Sequence, residues 1–139
     1  MFEERGSEIA QKYGEEDPDL WIIWSNLAKA YIGKGEWDKA IGLLQKVAEK
    51  RENKYGEEDL DLWIMWRYLA EAYLSKGELD KAICLLQKVA VKEENKYGEE
   101  YPDLWITWNS LAEAYRLKKE FDEAISLLQK VVAKRESKY

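Results

Sequence analysis

The chain contains three near-copies of one segment that follow each other at a fixed spacing. The motif KYGEE begins at Lys12, Lys54 and Lys96, so that each step is 42 residues long. A second motif, seen as DLWIIW, DLWIMW and DLWITW, follows it once in each repeat. Tandem repeats of this size are supersecondary structures that bury their apolar faces against their neighbours. The repeat therefore predicts an array of similar structures stacked along the chain.

Within each repeat the apolar residues follow helical periodicity. In the first repeat Leu20, Trp24 and Leu27 recur at the spacing of one helix face. Asp17 and Pro18 precede them as an N-cap candidate and a first-turn proline. A second helix is expected from about Trp37 to Tyr55. The same pattern predicts further helices at about 60–75, 79–97, 102–117 and 121–138.

Glycines mark where the predicted helices end. The segment GKGE, from Gly33 to Glu36, separates the two helices of the first repeat. Gly56 follows the second helix, where it offers a left-handed cap. In the third repeat LKKE replaces GKGE, so Lys119 stands where the other repeats have glycine. We expect this difference to affect only the turn.

Two helices in each repeat predict an all-α fold. The segment before the first repeat has Phe2, Ile9 and Tyr13 at helical spacing, which predicts a short helix that covers the first repeat. We therefore expect residues 1–139 to form a single domain. Its parts are an N-terminal cap at 1–11 and repeats at about 12–53, 54–95 and 96–139.

The composition excludes several classes of function. The 139 residues carry a net charge of −6 and no histidine, which disfavours binding to nucleic acid or to an anionic membrane. Without histidine there is no catalytic triad and no histidine-ligated zinc site, so we expect no catalysis, metal or cofactor. Cys84 is the only cysteine, and no apolar run reaches membrane-spanning length. We expect a cytoplasmic protein.

The residues that recur between repeats resemble a known pattern. They combine a tryptophan, a Leu-Ala pair, a tyrosine, a glycine, an aromatic residue and an alanine. In the first repeat these are Trp24, Leu27, Ala28, Tyr31, Gly35, Trp37 and Ala40. The pattern resembles the tetratricopeptide repeat (TPR) family, and the 42-residue period is similar to the longer version in kinesin light chains.

This resemblance implies a fold and a general role. The fold is a right-handed superhelical solenoid of three antiparallel helix pairs, whose concave groove binds a peptide or helix of another protein. The carboxylate clamp of some family members needs several basic residues in that groove. Only Lys29 is basic at the corresponding positions, which otherwise carry Ser25, Tyr68, Ile106 and Ser110. Binding of a chaperone C-terminus is therefore not expected.

The tryptophans of the DLW motif allow two interpretations. Trp24, Trp66 and Trp108 lie at the centre of the apolar stripe, which predicts core positions. The earlier tryptophan of each motif lies at the edge of that stripe, so it is either additional core or partly exposed at the groove rim. These residues are Trp21, Trp63 and Trp105. Exposed indoles would favour a small-ligand binder as an alternative function.

The groove is predicted from the side chains beside this stripe. The candidate peptide-binding residues are Ile22, Ser25, Lys29, Ile64, Arg67, Tyr68, Glu71, Ile106, Asn109, Glu113 and Arg116. The isoleucine recurs in every repeat and could hold apolar side chains of a partner, while Arg67 and Arg116 bind acidic groups. Contact between adjacent helices, or isolated surface isoleucines, explains the same pattern without a ligand.

The last helix has no predicted cover. The chain stops where a fourth repeat would begin, so we expect Leu127, Val131 or their neighbours to face water. Either the chain is cut from a longer array, or molecules associate end to end or as dimers through this helix. A self-assembling or engineered repeat module without a natural ligand is a further alternative, because the repeats are so similar.

Overall fold

A computed structural model describes residues 14–138, and the regular structure over this range is entirely α-helical. The helices are α1 (Pro18–Lys34), α2 (Trp37–Tyr55), α3 (Leu60–Lys76), α4 (Leu79–Tyr97), α5 (Pro102–Leu117) and α6 (Phe121–Lys138). The predicted all-α class is confirmed, and the helix bounds agree with the predicted ones to within one or two residues.

The described helices form two compact units that divide between Ala72 and Tyr73, inside α3. In the N-terminal unit α1 packs on α2; in the C-terminal unit α5 packs on both α4 and α6. The division falls within a helix and not at a repeat boundary. The predicted short helix before the first repeat lies outside the described residues, and the single domain stays a prediction.

Aspartate side chains cap the beginnings of α1 and α3. Asp17 caps α1, where its carboxylate accepts a hydrogen bond from the backbone N–H of Asp19 at 3.1 Å, and Pro18 occupies the first turn. Asp59 does the same before α3, accepting from the N–H of Leu62 at 3.2 Å. Both aspartates satisfy donors that a helix N-terminus leaves unpaired.

The turns depend on positive φ angles. Gly35 ends α1 in the left-handed helical region, at φ 84° and ψ 12°. Gly56 has φ 82° but ψ 178°, so the predicted left-handed helical cap is wrong, although this region is also open only to glycine. Lys119 keeps a positive φ of 70° at the position of the missing glycine. That conformation costs about 1 kcal/mol for a residue with a Cβ atom.

The core consists of apolar side chains that the repeats share. In the N-terminal unit Leu20 and Leu44 are fully buried. In the C-terminal unit Trp108 of α5 packs in one cluster with Ala90 of α4 and Val131 of α6. Burying a side chain of this size contributes roughly 1.5–3 kcal/mol. Apolar side chains thus stabilise both units by packing between neighbouring helices.

Candidate functional site

The earlier tryptophan of each DLW motif is a core residue. Trp21, Trp63 and Trp105 are only 1–2% exposed. Each indole N–H donates to a backbone carbonyl six residues earlier in the preceding loop. The acceptors are Glu15, Glu57 and Glu99, at 2.8, 2.7 and 2.7 Å. Of the two interpretations, additional core is confirmed and exposure at a rim is wrong, which removes the basis for a small-ligand site on these rings.

The later tryptophan of each motif is not equally buried in the three repeats. Trp66 and Trp108 are buried as predicted. Trp24 is only half-buried, and the Lys46 ammonium lies 4.3 Å from its ring centroid. This is a cation–π distance. The first helix therefore leaves part of a face open that its counterparts bury.

The repeated isoleucine of the motif points to solvent. Ile22, Ile64 and Ile106 are 57%, 40% and 42% exposed, although each stands between two tryptophans of the motif. Helical geometry explains the contrast, because successive residues lie about 100° apart around the axis. The helices α1, α3 and α5 thus each place the isoleucine of the motif outside the core.

A cleft of about 340 Å³ opens between α1 and α3 in the N-terminal unit, with α2 behind it. We call it the α1–α3 cleft. Its lining includes five of the predicted binding residues, which are Ile22, Ser25, Lys29, Ile64 and Tyr68. The structure therefore brings together side chains from two successive repeats that the sequence places far apart.

Ser25 forms part of the wall of this cleft. It is 9% exposed, and its hydroxyl donates to the backbone carbonyl of Trp21 at 2.9 Å. The same oxygen lies 3.3 Å from the sulfur of Met65 on α3. Since these contacts occupy the hydroxyl, Ser25 joins α1 to α3 and offers little to a ligand.

Lys29 places an ammonium group in the cleft, next to the ring of Tyr68. The Lys29 ammonium lies 4.8 Å from the Tyr68 ring centroid, and this pair spans α1 and α3. No carboxylate of the described residues lies within ion-pair distance of Lys29. Arg67, which is half-buried on α3 outside the cleft lining, likewise has no acidic partner among them.

The prediction missed Arg51, Asp61 and Met65, which also line the cleft. Arg51 reaches from α2 and donates to Asp59 at 2.8 Å and to Asp61 at 3.0 Å. Helix positions on α1 and α3 alone could not reveal a side chain of α2. The signal was present in the repeat alignment, because Arg51 corresponds to Glu93, a change of charge at an otherwise similar position.

The other predicted residues lie elsewhere. Ile106, Asn109, Glu113 and Arg116 lie on α5 in the C-terminal unit, and Glu71 is exposed on α3. Arg116 donates to both carboxylate oxygens of Glu113, at 2.6 and 3.0 Å. This contact lowers the pKa of the Glu113 carboxyl and raises that of Arg116. An acidic ligand of Arg116 would first have to displace Glu113.

The side chains that α6 exposes differ in part from the predicted ones. Val131 is buried and Leu127 half-buried, so the expectation that they face water is wrong for Val131. Their neighbours Leu128 and Val132 are 39% and 52% exposed. Val131 packs in one cluster with Trp108 of α5. Leu128 and Val132 lie about 60° and 100° from Val131 around the axis of α6, on the neighbouring side of the helix.

The described residues contain no group of three or more acidic, cysteine or histidine side chains arranged to hold a metal ion. None of the described helices is both long enough and apolar enough to cross a bilayer.

Solved structures share this architecture. Two crystal structures show nearly identical TPR-like repeats of a Podosopora anserina protein designated a kinesin light chain. They are 26% identical to this chain, with TM-scores of 0.88 and 0.87, and the match covers 99% of this chain and 65% of theirs. The chain thus spans just under two thirds of the length of those structures.

More distant structures support the fold alone. BtubC (BKLC) from P. vanneervenii has a TM-score of 0.88 at 19% identity, over 98% of this chain and 54% of its own. The TPR domain of Arabidopsis FLU has a TM-score of 0.73 at 14% identity, over 84% of this chain and 95% of its own. Among curated proteins, no sequence matches this chain.

The family comparison covers nearly the whole described chain. The tetratricopeptide repeat profile matches residues 19–90 and again residues 65–137, so that the matches cover most of both compact units. The matched segments contain the tryptophans that the structure places in the core and the isoleucines that it exposes. This chain belongs to the tetratricopeptide repeat family.

Proposed function

We propose that the protein is a non-catalytic scaffold that binds a peptide or helix of another protein in the α1–α3 cleft. TPR proteins are generally protein-interaction scaffolds, which supports the general role. The observation that carries the specific site is the pair of exposed isoleucines, Ile22 and Ile64, which line one cleft together with Lys29. Action in the cytoplasm is part of the proposal.

The lining of the cleft suggests the chemistry of the ligand. Ile22 and Ile64 offer apolar surface, and a partner side chain that covers them gains roughly 25 cal/mol for each Å² removed from water. Lys29 offers a cation that has no acidic partner among the described residues. We propose a segment with one or two large apolar side chains and a carboxylate near them.

A peptide selection would test this site. Random peptides displayed on phage are selected against the full chain, and the affinity of the best peptides is then measured by calorimetry. We expect Ile64→Glu to lower the affinity for the selected peptides at least about tenfold, since it places an anion in the centre of the contact. Lys29→Ala should weaken acidic peptides more than their amide counterparts.

Val91 supplies a matched control. It is 58% exposed on α4, so that Val91→Glu makes the same change at a similarly exposed apolar position outside the cleft. Val91→Glu should leave peptide binding unchanged. Equal losses in both variants would contradict a site in the α1–α3 cleft. If no peptide is selected at all, a repeat module without a natural ligand becomes the better interpretation.

We also propose self-association through α6. On this helix Ile125, Leu128 and Val132 are 51%, 39% and 52% exposed. Their spacing of i, i+3 and i+7 places them in one contiguous apolar stripe. Monomeric proteins seldom expose large contiguous apolar patches. Sedimentation of the full chain over a range of concentrations would show whether its mass increases.

A further inference from the structure

Another pocket lies in the C-terminal unit, between α5 and α6. It has a volume of about 440 Å³ and shares no lining residue with the α1–α3 cleft. Its lining combines an aromatic ring, two carboxylates, a hydroxyl and two leucines, which belong to Leu111, Tyr115, Asp122, Glu123, Ser126 and Leu127. We call it the α5–α6 pocket. None of the predicted peptide-binding residues lines it.

The other two repeats hold a lysine over the equivalent tyrosine ring. The Lys39 ammonium lies 5.3 Å from the ring centroid of Tyr31, and the Lys81 ammonium lies 5.5 Å from that of Tyr73. These are cation–π distances. In both repeats the lysine follows its tyrosine by eight residues and belongs to the second helix of the same repeat. The repeat thus supplies its own cation to this ring.

The third repeat has Glu123 at the position of that lysine. Among the described side chains, no cation lies over the ring of Tyr115. This ring is half-buried, and the side-chain amide of Gln87 donates to its hydroxyl at 2.7 Å, which holds it in place. Since the lysine of the other repeats comes from the same repeat as its tyrosine, one substitution accounts for the difference, independently of any neighbouring repeat.

The same substitution reverses the charge beside the ring. Asp122 and Glu123 are exposed, and neither forms an ion pair with another described residue. The nearby ammonium of Lys118 instead binds Asp80 at 2.8 Å and Glu120 at 3.3 Å. Acidic residues are common in the first turn of a helix, and Asp122 has an aspartate at the same position in both other repeats. Glu123 is the feature that only this pocket has.

The apolar residues of the pocket suit the stem of a basic side chain. Leu111 is buried and Leu127 is half-buried, and both line the pocket together with Tyr115. A lysine lays its methylene groups on apolar surface while its ammonium stays close to water and to carboxylates. An aromatic face with two carboxylates beside it therefore matches a lysine along its whole length.

From these observations we infer that the α5–α6 pocket binds a lysine side chain of a partner protein. The ammonium of that lysine lies over the Tyr115 ring, where Asp122 and Glu123 balance its charge. The partner thereby supplies the cation that the other two repeats supply themselves. A protein is the source of the lysine because TPR proteins are generally protein-interaction scaffolds. The α1–α3 cleft carries Lys29 and favours the opposite charge, so this site does not depend on the proposed function.

Restoring the lysine tests the inference. Glu123→Lys gives the third repeat the residue of the other two, so the chain's own ammonium should cover the ring while the fold is kept. Random peptides displayed on phage are selected against the full natural chain, after removal of those that bind Glu123→Lys. We expect the selected peptides to contain lysine. Its replacement by norleucine, which keeps the stem and removes the ammonium, should lower their affinity in calorimetry at least about tenfold.

Three further variants serve as controls. Glu136→Lys makes the same change of charge at an exposed position of α6 outside the pocket, so it should keep the affinity within about twofold. Tyr115→Phe keeps the aromatic ring and should still bind, whereas Tyr115→Leu should lower the affinity at least about fivefold. Ile64→Glu, which blocks the α1–α3 cleft, should bind these peptides normally, so that failure of one site is distinguished from failure of the other.

The contrary outcomes are specific. Equal losses in Glu123→Lys and Glu136→Lys would show that the net charge of the chain, and not the pocket, attracts the peptides. If no peptide is selected, or if the selected peptides bind as well with norleucine, the pocket does not hold a lysine of a partner and the inference is overturned.

A small probe tests the pocket without a peptide. n-Butylammonium carries the ammonium and stem of lysine, and n-butanol is its neutral counterpart. In NMR spectra of the full chain with ¹³C-labelled tyrosine rings, the Tyr115 resonance is the one that Tyr115→Leu lacks. We expect n-butylammonium to shift this resonance at concentrations at least about tenfold lower than n-butanol requires. Equal effects of the two compounds would show an apolar pocket without preference for a cation and would contradict the inference.

Discussion

The same inter-helix position carries opposite charges in the two compact units. In the N-terminal unit it is Arg51, whose guanidinium binds Asp59 and Asp61. In the C-terminal unit it is Glu93, which is 3% exposed and accepts a hydrogen bond from the Thr107 hydroxyl at 2.6 Å. The backbone at both positions is helical, so only the side chains differ.

The surrounding residues change together with the charge. Tyr101 replaces Asp59, and Thr107 replaces Met65, while the second aspartate stays as Asp103. The Tyr101 hydroxyl donates to Asp103 at 3.1 Å. The C-terminal unit thus has a carboxylate, Glu93, in place of the cation, keeps one of the two aspartates, and gains two hydroxyl donors. Each set satisfies its own polar groups, which indicates that these positions act as a group and not as independent substitutions.

Transplanting one set into the other unit tests this interpretation and should give the largest effect. Glu93→Arg alone should destabilise the chain by about 3 kcal/mol, because it buries a cation beside only one of the two aspartates it needs. Adding Tyr101→Asp and Thr107→Met rebuilds the N-terminal set and should recover most of that loss. Equilibrium unfolding in urea measures both variants.

An exposed neighbour provides the control for the transplant. Glu94 follows Glu93 on α4 and is exposed, so Glu94→Arg makes the same change of charge without burial. We expect its unfolding free energy to stay within about 0.5 kcal/mol of the natural sequence. A triple variant as unstable as Glu93→Arg alone would show that the two sets are not interchangeable, and that other residues near Glu93 determine its environment.

The next prediction concerns the contribution of the Thr107 hydroxyl to the free energy of unfolding. Thr107→Val keeps the shape of the side chain but leaves the Glu93 carboxylate without this donor, which should cost about 1–2 kcal/mol in urea unfolding. Thr107→Ser should restore most of it. At the equivalent position of the N-terminal unit, Met65→Leu should cost less than about 1 kcal/mol, since no carboxylate depends on it. Equal costs at both positions would remove the distinction between the two units.

Much of the fold was predictable because it depends on local patterns. Periodic apolar residues, Pro18 and the glycines between helices determined the helix bounds. The burial of Trp21 was not decided by its place on the helix. It depends on the carbonyl of Glu15, a loop residue six positions earlier, which accepts the indole proton. A helix projection contains no information about such a loop.

The candidate site was predictable only in part, for a similar reason. The exposure of Ile22 and Ile64 follows from one helix each, and the prediction located both. Arg51 comes from a different helix, and its direction depends on Asp59 and Asp61. The partner of Arg116 was also missed, although Glu113 lies three residues earlier on the same face. Contacts between helices had to be observed.

The last comparison distinguishes the two units by pH. Burial and the hydrogen bond to Asp103 raise the pKa of the Tyr101 hydroxyl from 10.0 to about 12. Because the pKa is higher in the folded state, the stabilisation from this group is complete below pH 10 and is lost as the pH rises from 10 to 12. Asp59, at the equivalent position, carries a carboxylate in place of this hydroxyl.

Alkaline titration of single variants would isolate this contribution. Lysines also lose protons in this range, so the informative quantity is the difference between the natural sequence and Tyr101→Phe. We expect the fall in unfolding free energy with pH to be less steep in Tyr101→Phe, and its tyrosinate absorbance to lack the transition near pH 12. Tyr97→Phe, which changes the ring stacked on Tyr101 at 4.2 Å, should keep that transition because the hydrogen bond to Asp103 remains. If Tyr101 instead ionises near pH 10, its hydroxyl is not bound to Asp103 in the folded chain, and the C-terminal set consists of Glu93 and Thr107 alone.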